Sequence, residues 1–232
     1  MIFRQLFDNQ SSTYTYLIAD KESKQACIID PVLEHGPRYK QLIEELDLTL
    51  LYALDTHVHA DHITALGGLR DEFGCETLVG GDNEVACASK ALNHGDVIKF
   101  GELELKVFFT PGHTSDSFCF FVSNNNENFL FSGDTLLIRG TGRTDFQNGD
   151  PKQLYNSIHS ILLALPDDTW VYPAHDYKGW TKSTIDEERQ HNPRLQLDES
   201  AFIDHMNNLN LPNPKMMDIA VPANLSCGKA KH

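Results

Sequence analysis

At 232 residues, 41% of them hydrophobic, the chain has the length of one large or two small globular domains and enough apolar residues for a sizeable core. Lys and Arg number 19 against 33 Asp and Glu, and a formal net charge of -14 argues against phosphate-backbone binding, which needs clustered cations, so no nucleic-acid partner is expected. The longest apolar runs, such as 48–54, are far shorter than the roughly 20 residues that span a bilayer, so no membrane partner is expected either.

Residues 1–5 enter a strand-like alternation at once, without a charged leader, an apolar signal core or an Arg-rich transit segment, and a cytoplasmic protein is expected. Strands follow at 13–19 and 25–29, the second ending at Asp30-Pro31. Tyr39, Leu42, Ile43 and Leu46 recur at the spacing of an amphipathic helix. The continuous apolar run 48–54 predicts a strand buried on both faces, and it leads directly into a His-rich loop at 56–62. Ile63, Leu66 and Phe73 suggest a helix, 77–79 a short strand, and 103–110 a strand stopped by Pro111-Gly112. Strands at 117–122 and 129–132 flank Asn124-Asn125-Asn126, a hairpin turn. Asp150-Pro151 supplies the N-cap and first position of a helix bearing Leu154, Ile158, Ile161 and Leu162 on one face. A strand at 169–172 and helices at 183–190 and 199–209 precede an extended, Pro-punctuated tail. With no linker-like segment and no internal repeat beyond a loose similarity of the halves, the chain reads as one domain, 1–232, of the layered α/β/β/α kind.

Five cysteines, an odd number without C-x-x-C spacing, argue against a disulfide framework and a Cys-rich zinc knuckle. Cys27, Cys75 and Cys119 sit in apolar stretches and read as small core residues; Cys227 lies in a less apolar tail.

The densest chemical signal is Thr56-His57-Val58-His59-Ala60-Asp61-His62. A single histidine is ordinarily packed in a core or solvated at a surface. Three with a carboxylate within six positions suit a borderline divalent cation, because alternate residues of an extended loop can point to one centre. Further candidates stand at predicted strand ends: His113 in Pro111-Gly112-His113-Thr114, Asp134 in Ser132-Gly133-Asp134, and His175 in Pro173-Ala174-His175-Asp176.

This order of motifs resembles the metal-binding set of the metallo-β-lactamase superfamily, over nearly all of the chain. The resemblance implies an αββα four-layer sandwich with its site at one rim of the sheets. Residues 139–147 (Arg-Gly-Thr-Gly-Arg-Thr-Asp-Phe-Gln), Ala174-His175-Asp176-Tyr177, Asn192-Pro193-Arg194-Leu195 and Asn208-Leu209-Asn210-Leu211-Pro212 are similar to the persulfide dioxygenase branch, which oxidises glutathione persulfide with O2 to sulfite and glutathione. Carried over, the resemblance implies that His57, His113 and Asp134 hold one Fe(II) per chain as a facial triad, with zinc as a substitute in purified protein. His59 and His175 are then catalytic neighbours outside the ligand set, joined by Tyr177 as a phenol donor, while Arg143 would pair with a glutathione carboxylate.

The rival within the superfamily is glyoxalase II, a dinuclear hydrolase of glutathione thioesters, in which Asp61, His62 and His175 would hold a second metal with Asp134 as bridge. The stretch after His175 is shorter than that family's helical glutathione domain, and Thr144-Asp145-Phe146-Gln147 departs from its pattern. A non-catalytic binding protein is disfavoured by the complete ligand set, and an RNA-processing enzyme by the acidic charge. Oligomeric state is left open, a homodimer included.

Overall fold

The computed structural model describes residues 1–81 and 88–229. Six strands form the first sheet: β1 (Ile2–Asp8), β2 (Thr13–Ala19), β3 (Gln25–Ile29), β4 (Thr49–Leu54), β5 (Glu76–Gly80) and β6 (Lys90–Leu92). They lie in chain order, antiparallel from β1 to β3 and parallel from β3 to β6. The second sheet contains β7 (Val97–Phe100), β8 (Leu103–Phe109), β9 (Phe118–Asn124), β10 (Glu127–Gly133), β11 (Trp170–Pro173) and β12 (Ser183–Thr184), in the order β12-β11-β10-β9-β8-β7. Here β8 to β10 form an antiparallel meander and β10 pairs with β11 in parallel. The helices are α1 (Gly36–Glu45), α2 (Leu66–Phe73), α3 (Pro151–Ser160), α4 (Ile185–His191), α5 (Glu199–Asn207) and α6 (Met217–Asn224). None of the described helices is long and apolar enough to cross a membrane.

The chain divides into two compact units, Met1–Leu92 with Ile98–Glu104 and Asn213–His232, and Asn93–Val97 with Leu105–Pro212. In the first, Leu17, Ala26, Ile28 and Ala53 of the sheet pack with Tyr39 and Ile43 of α1 and Leu66 and Leu69 of α2. In the second, Phe121, Leu130 and Val171 pack with Leu154 and Ile158 of α3 and Phe202 and Met206 of α5. Burial of these apolar faces, at roughly 25 cal/mol per Å² removed from water, is the main driving force in each unit.

The strands expected at 13–19, 25–29, 48–54, 77–79 and 103–110 form nearly as read, and the helix opened by Asp150-Pro151 forms but ends at Ser160, with Leu162 in a separate 3-10 turn. The hairpin turn uses Asn125 and Asn126 with φ of 51° and 63°, the left-handed conformation that two-residue hairpins require and asparagine tolerates. Three expectations are corrected. Ser183 and Thr184 pair with β11 before α4 begins, so the helix starts two residues late, capped by Thr184 Oγ1 accepting from Glu187 N at 3.1 Å. The tail is not extended throughout: α6 forms despite Pro222, with Ala220 and Asn224 buried. Cys27, Cys75 and Cys119 are buried, reduced thiols as expected, whereas Cys227 is disulfide-bonded.

Candidate metal centre

Within the first unit, β3 and β4 run parallel and release their loops at the same sheet edge, the usual place for ligands on parallel strands. Asp30, the first residue after β3, has φ of 51° and donates its backbone N–H to Leu54 O at 2.8 Å. Its buried carboxylate organises the histidine loop. Oδ1 accepts from Thr56 N at 2.7 Å and lies 3.1 Å from His59 Nε2, while Oδ2 accepts from Thr56 Oγ1 at 3.0 Å. Thr56 Oγ1 is also 3.0 Å from His57 Nδ1. Since the threonine's one hydroxyl hydrogen goes to Asp30, Nδ1 of His57 must be the donor, which leaves Nε2 with a lone pair for a metal.

His59 and His62 face a second group of acceptors. His62 Nδ1 lies 3.0 Å from Asp61 Oδ2, which also accepts from Thr13 Oγ1 at 3.0 Å, and the His59 and His62 rings are 4.3 Å apart. His59, Asp61 and His62 offer ligand atoms within 4.8 Å of one another. Burial opposes a charge on His59, but Asp30, followed by Asp55 and Asp61, outweighs it and pushes the imidazole pKa up to about 9 in the metal-free protein.

Within the second unit, β10 and β11 are likewise parallel and present Asp134 and His175 just past their carboxyl ends. Asp134 Oδ1 lies 2.7 Å from His175 Nδ1, and Oδ2 is 3.5 Å from His113 Nε2. His113 Nδ1 is 2.7 Å from the carbonyl oxygen of Arg143. A carbonyl only accepts, so this histidine too carries its proton on Nδ1 and turns a lone pair on Nε2 toward Asp134. Gly142 makes that approach feasible. Its N–H donates to Asp134 O at 2.7 Å, and a Cβ there would stand 2.7 Å from His113 Nδ1. The Thr141-Gly142-Arg143 stretch therefore braces both His113 and Asp134.

Arg143 is mostly engaged within its own unit. Nε and Nη2 donate to the two oxygens of Asp145, each at 2.6 Å, and Nη1 and Nη2 donate to the carbonyls of Pro212 and Leu211 at 2.7 and 3.2 Å. Asp145 is held below the ordinary carboxylate range by the Arg143 hydrogen bond, ahead of the opposing effect of burial. Tyr177 is not an ordinary buried tyrosine: it is 73% exposed, with its ring parallel to His175 at a centroid distance of 6.1 Å.

In the first unit the loop thus gathers His57, His59, Asp61 and His62, and in the second His113, Asp134 and His175 converge. Asp30, Thr56 and Gly142 were not singled out from the sequence as site residues. A carboxylate directly after one strand, paired with a threonine two residues past its parallel neighbour, was the available signal for the first two.

The family profile described as the Metallo-beta-lactamase superfamily matches residues 8–175. Persulfide dioxygenase ETHE1, mitochondrial, from Homo sapiens is 50% identical over 229 residues, 98% of this chain and 89% of the human protein. The crystal structure of ETHE1 from Myxococcus xanthus superposes with a TM-score of 0.95 at 53% identity, covering 99% of this chain and 100% of that one. A probable hydroxyacylglutathione hydrolase from Schizosaccharomyces pombe is 34% identical over 174 residues, 74% of this chain and 66% of that protein.

Proposed function

This chain belongs to the metallo-beta-lactamase superfamily, and on that basis we propose that it is a persulfide dioxygenase, oxidising glutathione persulfide with O2 and water to glutathione and sulfite at one ferrous iron. The observation that carries the assignment is half identity to the human persulfide dioxygenase along nearly the whole of both chains. The matching crystal structure and its TM-score support it at the level of the fold. The more distant hydrolase, matched over three quarters of this chain, is the weaker guide.

The donor chemistry fits iron. His57 and His113 each have Nδ1 committed to a hydroxyl or carbonyl oxygen and Nε2 left to coordinate, and Asp134 adds a carboxylate. Two imidazoles and one carboxylate make the facial triad of non-haem iron oxygenases. When bound, ferrous iron supplies the dioxygen chemistry that side chains lack. The residues around it orient and hold protons. His175 donates Nδ1–H to Asp134 Oδ1 and fixes which carboxylate oxygen is turned toward His113. Asp30 holds His59 beside His57, their rings 4.1 Å apart. Tyr177 presents a phenol at an exposed position beside His175, where it can donate to a substrate sulfur or oxygen. Arg143 receives a glutathione carboxylate by exchanging it for the half-exposed Asp145, an exposed pairing worth only about 0–1 kcal/mol.

A dinuclear hydrolase is the second reading, favoured by the clustering of His59, Asp61 and His62. Anaerobic reconstitution with ferrous iron, followed by metal analysis and oxygen uptake, separates the two. We expect about one iron per chain, oxygen consumption with glutathione persulfide and release of sulfite. His62→Ala should then keep most of its iron. Two tightly held metals and rapid hydrolysis of lactoylglutathione without oxygen uptake would refute the dioxygenase assignment.

A further inference from the structure

Asn224, the last residue of α6, lies 162 positions from His62 in sequence and is buried against the histidine loop. Its side-chain oxygen accepts from Thr64 N at 2.9 Å, and its Nδ2 donates to the carbonyl oxygens of both His59 and His62, each at 2.9 Å. One amide thus satisfies three buried backbone groups across the end of the His-x-His-x-Asp-His loop, using both amide hydrogens and the oxygen. Two glycines permit the approach. A Cβ on Gly67 would stand 2.7 Å from Cys227 O, which instead accepts from Gly67 N at 2.9 Å, and a Cβ on Gly228 would run into the carbonyl oxygen of Thr64. Thr64 Oγ1 in turn donates to Asp55 Oδ1 at 3.0 Å.

From this geometry we infer that Asn224 is a positioning residue for the metal loop: the C-terminal helix clamps residues 59–64 so that His57 is presented with its coordinating nitrogen in place. The clamp reaches His57 through named contacts. Fixing the His59 carbonyl keeps its ring on Asp30, Asp30 holds Thr56 through both backbone N–H and hydroxyl, and Thr56 Oγ1 orients His57 Nδ1. The inference rests on His57 being a metal ligand, as proposed above.

The test uses the full chain loaded with Co(II), Asn224→Ala, and the isosteric Asn224→Asp, which keeps the acceptor for Thr64 N but loses both donors. In Asn224→Ala we expect Co(II) release to a chelator to quicken about tenfold to a hundredfold, the usual cost of losing a ligand's supporting partner. The Co(II) absorption bands should shift, and the Thr64 amide of metal-free protein should exchange about tenfold faster, while far-UV circular dichroism is unchanged. Asn224→Asp should release Co(II) faster yet keep Thr64 protected, and it carries the test alone if Asn224→Ala does not fold. Wild-type release rates and Co(II) spectra in the folded variants, even with a lowered unfolding midpoint, would overturn the clamp and leave Asn224 a packing residue. Because none of these readouts involves turnover, failure of wild-type protein to consume oxygen with glutathione persulfide would remove the functional assignment while faster Co(II) release still upheld the clamp.

Discussion

Arg143 carries two duties that one substitution can separate. Its backbone carbonyl holds His113 Nδ1, and its guanidinium grips Asp145 and the carbonyls of Leu211 and Pro212. Arg143→Ala spares the first and removes the second. If the guanidinium also captures a glutathione carboxylate, kcat/KM should fall about tenfold to a hundredfold, equivalent to roughly 1.5 to 3 kcal/mol for a charge-assisted hydrogen bond, with iron content unchanged. Arg143→Lys should recover only part of it, because an ammonium lacks the planar fork. Loss of iron in Arg143→Ala would instead make the side chain a brace for the His113 turn. The type and neighbours of Arg143, Asp145 among them, were legible in its Gly-Arg-Thr-Asp motif; that the fork also reaches the carbonyls of Leu211 and Pro212 was not, because those lie 68 and 69 residues further along the chain.

At the scale of elements, the start of α3 bears directly on His113, a ligand in the proposed metal site. Asp150 caps the helix by accepting from Lys152 N and Gln153 N at 2.8 and 2.9 Å. Its own N–H donates to Gly112 O, and Ser157 Oγ donates to Pro111 O at 2.7 Å, so the first two turns of α3 pin the residues that precede His113. Gly112, at φ of 138°, is required because a Cβ would collide with the backbone of Leu154. Asp150→Ala should lower stability by about 1 kcal/mol, the ordinary worth of an N-cap, measured by denaturant unfolding. It should also weaken metal affinity, since the turn loses one of its anchors. An unchanged unfolding midpoint would show that the cap is dispensable. This helix was readable because Asp-Pro followed by apolar residues at helical spacing is a local signal. Helix α6 was not, because Pro212, Pro214 and Pro222 suggest extended chain, whereas the helix that forms buries Ala220 and Asn224.

For the molecule as a whole, acid sensitivity follows from Asp8 at the end of β1. Burial would raise its pKa, but hydrogen bonds from the Ser11 hydroxyl and backbone, then His35, more than compensate and hold it below 3.8. A carboxylate depressed on folding stabilises the native state above its unfolded pKa and loses that contribution as pH falls through the folded value. Wild type should therefore be more stable than Asp8→Asn at neutral pH, and the gap should close as pH drops below 3.8, as read by thermal unfolding across pH. A gap that persists undiminished into acid would assign the effect to lost hydrogen-bond geometry rather than charge.

Local chemistry was enough to pick out the candidate ligand types and to place them at strand ends. His-x-His-x-Asp-His after an apolar run, and Gly-His and Gly-Asp at turns, are short patterns whose meaning depends on neighbouring residues. Those patterns also carried the family, as the profile across 8–175 bears out. Tertiary structure decided the rest: the proton positions on His57 and His113, the pairing of His175 with Asp134, the partners of Arg143, and the hold of Asn224 on the histidine loop. Most of these join segments distant in sequence, and hydrogen-bond direction is fixed by which acceptors the fold brings near, information that spacing along the chain does not contain.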